Sequence, residues 1–90
     1  MKESELQSKS IKMLKNFGFL VIRISNPTQR GLPDILAISE KGDVIAIEFK
    51  IGKNNQSELQ KYIQKEFEKR NLKYYLIRDL NELKAIFKLE

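Results

Sequence analysis

Two apolar runs, Ile35-Leu36-Ala37-Ile38 and Val44-Ile45-Ala46-Ile47, flank the segment Ser39-Glu40-Lys41-Gly42-Asp43, and neither run contains a polar residue. A β-strand turns successive side chains to opposite faces, so strands apolar at every position must be covered on both faces. The sequence therefore predicts the centre of an α/β sheet with helices packed on each side. The connector Glu40-Lys41-Gly42, glycine last, matches a type I turn followed by a left-handed bulge residue. With Ser39 opposite Asp43, Leu36 pairs with Ala46, and Asp34 comes to face Glu48. Ile35, Ala37, Ile45 and Ile47 then share one face, and Glu48 and Lys50 share the other.

The remaining chain supplies the covering elements. At about 100° per residue, Leu6, Met13 and Phe17 fall on one face of a helix over 3–17, with Ser10 and Leu14 beside them and Ile11 at the margin. Gly18 suits its C-terminal cap, and residues 19–24 read as a strand. A polar loop over 25–33 follows, kept irregular by Pro27, Gly31 and Pro33. Ser57-Glu58-Leu59-Gln60 is a capping box opening a second helix, whose expected buried stripe is Leu59, Tyr62, Ile63 and Phe67. Asn71 suits the end of that helix, near Arg70. Residues 73–77 form a fourth strand, and Asp79 caps a short last helix carrying Leu80, Leu83 and Phe87. The expected order is α-β-β-β-α-β-α around a mixed four-stranded sheet, and with no repeat or low-complexity tract, residues 1–90 read as a single domain.

Chemistry is narrowed first by what is missing. The chain has no His and no Cys, which excludes Ser-His-Asp and Cys-His catalysis, zinc fingers, iron-sulfur clusters and disulfides. Hydrolysis must run on carboxylates, lysine and an oxygen-bound metal. A net charge of +5 and a pI near 9.5 point to a polyanionic partner, most simply nucleic acid. No apolar run approaches the roughly 18–20 residues of a membrane span, and the N-terminus lacks a signal-peptide core. A cytosolic protein is expected.

Against that basic background, Asp34 and Glu48 stand out. Two facing carboxylates repel unless a cation or proton lies between them, and a hard, oxygen-rich pocket suits Mg²⁺ or Mn²⁺. Hairpin ends also carry acids simply because they are wet, with Glu48 and Lys50 then a weak surface pair. The position of Glu48 and Lys50 at the end of a strand apolar on both faces favours function. Glu3 lies on the packed side of the first helix and Glu5 on the opposite side, although an acid there also suits the helix dipole. Arg23, Arg30 and Lys53 are candidate phosphate contacts, whereas Lys61, Lys65 and Lys69 fit a solvated helix face.

Glu3, Gly31-Leu32-Pro33-Asp34, Ile47-Glu48-Phe49-Lys50 and Ser57-Glu58-Leu59-Gln60 together resemble the VRR-NUC branch of the PD-(D/E)XK nucleases, a branch found in phage and in DNA-repair proteins. The motifs span residues 3 to 60, and the element order extends the likeness to residue 77 or beyond. The resemblance implies a restriction-endonuclease-like core in which Asp34, Glu48 and the Phe49 carbonyl ligate the metal. Lys50 would orient or help deprotonate the attacking water. Glu3 would hold water at the metal, with Glu5 taking its place if the helix registers differently, and Gln60 would lie near the site. The implied activity is a metal-dependent DNA endonuclease of replication, recombination or repair, selective for branched DNA such as four-way junctions and acting as a homodimer. The competing readings are a non-catalytic DNA-binding or assembly module on the same fold, which has no physical reason to keep crowded acids on an apolar strand, and cleavage of RNA.

Overall fold

The computed structural model describes residues 1–25 and 28–88; Asn26 and Pro27 of the expected 25–33 loop, together with Leu89 and Glu90, lie outside the described residues. The elements run α1 (Glu3–Asn16), β1 (Leu20–Arg23), β2 (Ile35–Ile38), β3 (Val44–Phe49), α2 (Glu58–Lys69), β4 (Lys73–Ile77) and α3 (Leu80–Phe87). This is the expected order. The strands lie side by side in sequence order, β1-β2-β3-β4; the first two pairings are antiparallel and β3 with β4 is parallel. A parallel neighbour cannot be reached by a tight turn, and α2 is the crossover that makes this pairing possible.

The β2–β3 hairpin has the register its turn dictates: Leu36 pairs with Ala46 and Ile35 with Ile47. Ser39 N–H donates to the Asp43 carbonyl at 2.9 Å, and Gly42 takes φ +92°. One sheet face buries Ile35, Ala37, Ile45, Ile47, Phe49 and Ile77 against Leu6, Ile11 and Leu14 of α1 and Leu83 of α3. Each Leu, Ile and Phe side chain among them contributes about 1.5–3 kcal/mol by leaving water. The Phe87 ring of α3 closes this layer, edge-on to Phe19 at 5.4 Å and to Tyr75 at 6.0 Å.

Two packing expectations are corrected. The buried face of α1 is Leu6, Ser10, Ile11 and Leu14, while Met13 is half-buried and Phe17, the C-cap, is exposed. The helix is rotated toward Ile11, which places Glu3 in line with the buried stripe. On α2, Ile63 and Phe67 are half-buried, but Leu59 and Tyr62 are 44% and 57% exposed. The reason is placement: α2 lies over β4 at the sheet edge, so only part of its stripe finds a partner. The second sheet face is thus covered at β4 and open toward β1, where Leu20 and Ile22 are exposed. Among the described residues, no helix is long and apolar enough to cross a membrane.

Candidate active site

The site forms at the end of the hairpin away from its turn. Gly31 leads into it with φ +83°, and a Cβ there would lie 2.6 Å from Leu59 Cγ, so the loop can rest on the start of α2 only as glycine. Pro33 is fully buried behind it. Asp34 is then gripped from both sides, its carbonyl accepting from Ile24 N–H at 2.9 Å and its own N–H donating to the Ile47 carbonyl at 3.0 Å. That second bond falls one residue short of Glu48, so the ladder slips where regular pairing ends. The slip lets the Asp34 side chain continue the ladder, with Oδ2 accepting from Phe49 N–H at 2.7 Å. Burial raises the Asp34 pKa, opposed by the Phe49 N–H and the Lys50 charge.

Glu48 is 1% exposed, on an otherwise apolar strand. Its Oε1 accepts from the Tyr74 hydroxyl at 2.5 Å, while Oε2 is buried with no hydrogen-bond partner among the described residues. The Lys50 ammonium stands 3.8 Å from Oε2. Leaving a buried carboxylate oxygen unsatisfied costs about 1–3 kcal/mol or more, and a single lysine charge, Lys50, acts on both Glu48 and Asp34 among the described residues. A divalent cation would satisfy Oε2 and balance the charge, so the donor set fits a hard metal ion. In an extended strand a residue's N–H and C=O point to the same side, and Phe49 N–H points at Asp34. The Phe49 carbonyl is therefore turned the same way, a third oxygen for such an ion.

The other expected site residues are distributed unevenly. The C-terminus of α1 is pinned at the hairpin turn, where Gly18 packs against Glu40; β1 then runs back along the sheet, so α1 points its N-terminus and half-buried Glu3 toward the Asp34 end. Glu3 does not, however, complete a cluster: among the described residues, no group of three His, Cys, Asp or Glu side chains is placed to hold a metal. Glu5 is exposed and accepts from Lys2 N–H at 3.4 Å at the start of the helix. Gln60 is engaged in the α2 cap, its Oε1 accepting from Ser57 N–H at 2.9 Å and its N–H donating to Ser57 Oγ at 3.1 Å. Arg23 pairs in register with Ile35 and so shares the α1 face, opposite Glu48. Arg30 and Lys53 are exposed on the loops before Asp34 and after Lys50.

Three residues near the site were not singled out from the sequence. Tyr74 meets Glu48 because β4 pairs parallel to β3 with Tyr74 beside Ala46. Burial, then the Glu48 carboxylate, hold its phenol far above the ordinary tyrosine pKa, with a Gln56 side-chain hydrogen bond opposing them. Gln56 in turn donates to Gln64 Oε1 of α2 at 2.8 Å. Arg78 ties down the loop that follows Lys50, donating to the carbonyls of Gly52 and Asn54 and to Asn55 Oδ1 at 2.8–3.2 Å. Sequence patterning carries no signal for these contacts, because a crossover helix does not specify the register of the strand it delivers.

A solved structure described as a VRR_NUC domain superposes on this fold with a TM-score of 0.87, covering 96% of this chain and 94% of that one at 21% identity. At that identity the likeness establishes the fold. No curated protein matches the chain. Residues 2–84 match the family model described as "Archaeal holliday junction resolvase (hjc)". A match running from the cap of α1 into α3, over both carboxylate-bearing strand ends, places this chain in the archaeal Holliday junction resolvase (Hjc) family.

Proposed function

We propose that residues 1–90 form one nuclease domain that hydrolyses phosphodiester bonds in branched DNA, four-way junctions above all, with Mg²⁺ or Mn²⁺ held by Asp34, Glu48 and the Phe49 carbonyl. The observation that carries this is the Glu48 Oε2 atom, buried without a hydrogen-bond partner beside Lys50. When bound, the metal offsets the carboxylate charge, polarises a phosphoryl oxygen and makes water more acidic. Lys50 is placed to orient the attacking water and to balance the negative charge growing on the phosphate in the transition state. Glu3 reaches the site's end of the molecule from α1 and holds water there.

Substrate handling falls to exposed cations. Arg30 and Lys53 flank the carboxylates in sequence and contact backbone phosphates, which position DNA without reading its sequence. The register of Arg23 removes it from this group, because it projects on the opposite face. A junction has two-fold character, and the open apolar sheet face around Leu20 and Ile22 supports a homodimer that offers two sites to it. In a cleavage assay with junction, flap and linear duplex DNA in Mg²⁺, the junction is cut preferentially, and Asp34→Ala loses cutting while keeping junction binding. Undiminished cutting by Asp34→Ala would overturn the site, and equal cutting of linear duplex would overturn the substrate.

A further inference from the structure

Glu48 uses its two carboxylate oxygens differently, and the difference originates on β4. Oε1 accepts from the Tyr74 hydroxyl, while Oε2 has no hydrogen-bond partner. Tyr74 is itself immobilised: it is 5% exposed and its ring meets Phe67 of α2 edge-on at 5.7 Å. Close by, the Gln56 side chain of the preceding loop donates to Gln64 Oε1 of α2 at 2.8 Å. Tyr74 thus links the Glu48 carboxylate to the crossover helix, by its hydroxyl on one side and its ring contact with Phe67 on the other.

We propose that Tyr74, braced by Phe67, is a positioning residue that locks the Glu48 carboxylate with Oε2 presented to the divalent metal, and so sets the metal affinity of the site. This rests on the assignment of Glu48 as a ligand under Proposed function. The physical ground is preorganisation. A glutamate has three side-chain torsions to freeze, and a rigid phenol already held by Phe67 freezes them before the ion arrives. A neutral donor also leaves the carboxylate's charge available, which a lysine or arginine in the same place would partly cancel. Removing partners of this kind weakens metal binding by about 10- to 100-fold.

The test is calorimetric titration of the full chain with Mn²⁺ alone, alongside junction cleavage as a function of Mg²⁺ concentration. For Tyr74→Phe, Mn²⁺ affinity should fall about 10-fold or more, and the half-saturating Mg²⁺ should rise in step while kcat at saturating metal stays within about twofold. Tyr75→Phe, which removes a hydroxyl from the other face of β4, should leave both unchanged. A purely structural Tyr74 would lower the Tm of the metal-free protein with wild-type Mn²⁺ affinity, and that result overturns the proposal. Asp34→Asn separates the two levels: if it too binds Mn²⁺ like wild type, the metal site itself is wrong. If it loses binding while Tyr74→Phe does not, only the role of Tyr74 falls. Should Tyr74→Phe be too unstable to titrate, Phe67→Leu, which removes the ring that holds Tyr74, replaces it; weakened Mn²⁺ binding supports the proposal and unchanged binding overturns it.

Discussion

Asp34 joins three strands through three different atoms. Its carbonyl serves β1, its N–H serves β3, and its carboxylate accepts from Phe49 where the ladder has run out. The same burial raises its pKa, which has a definite sign for stability. A carboxyl whose folded pKa lies above its unfolded value binds more protons when folded, so metal-free protein gains stability from this group as pH falls through the raised pKa and loses that gain as pH rises. Asp34→Asn should therefore raise the metal-free Tm near neutral pH by a few degrees and flatten its pH dependence on the mildly acid side, as measured by thermal melts in chelator. A lowered Tm would show that the Asp34 charge is already compensated without metal. Lys50→Met should slow cleavage by about 100-fold or more with junction binding retained, in single-turnover assays. At this scale the meeting of Asp34, Glu48 and Lys50 at one end of the hairpin was legible, because the hairpin register brings them together. Tyr74 was not, because what makes it important is a parallel pairing delivered by twelve residues of helix.

The hairpin and the capping box carry their instructions locally, and both appear as the sequence implies. Ser57 and Gln60 close the start of α2 through reciprocal bonds, and Gly42 takes the left-handed conformation the turn needs. The burial of α2 is a different kind of property. Its apolar spacing is real, yet Leu59 and Tyr62 remain exposed because the helix sits over the edge strand, and periodicity names a face without naming what covers it. Where α2 meets the loop before Asp34, the contact is close: Gly31 lies against Leu59 with positive φ. Gly31→Ala should cost about 1–3 kcal/mol in urea unfolding and, by moving Pro33-Asp34, reduce cleavage more than Leu59→Ala does. A Gly31→Ala protein with wild-type midpoint and activity would show that the loop can leave the helix freely.

For the molecule as a whole, a net charge of +5 conceals a local negative pocket, and an incompletely covered sheet conceals a surface in want of a partner. If the proposed homodimer uses this face, Ile22→Glu should convert it to a monomer in sedimentation experiments while leaving the far-ultraviolet spectrum intact, since Ile22 is 43% exposed and outside the core. An unchanged sedimentation coefficient would overturn the assignment of this face to a dimer. The order of the strands along the chain adds a temporal dimension to the site. Asp34, Glu48 and Lys50 lie in a hairpin that can close as soon as it is made, whereas β4 adds to β3 only after the intervening helix exists. The chain between Glu48 and Tyr74 is a longer loop to close than the hairpin turn and costs more chain entropy, so the contact that shapes Glu48 is the harder of the two to form. Without β4 in place Glu48 would lack its Tyr74 partner, so on the proposed function cleavage requires the complete four-stranded sheet.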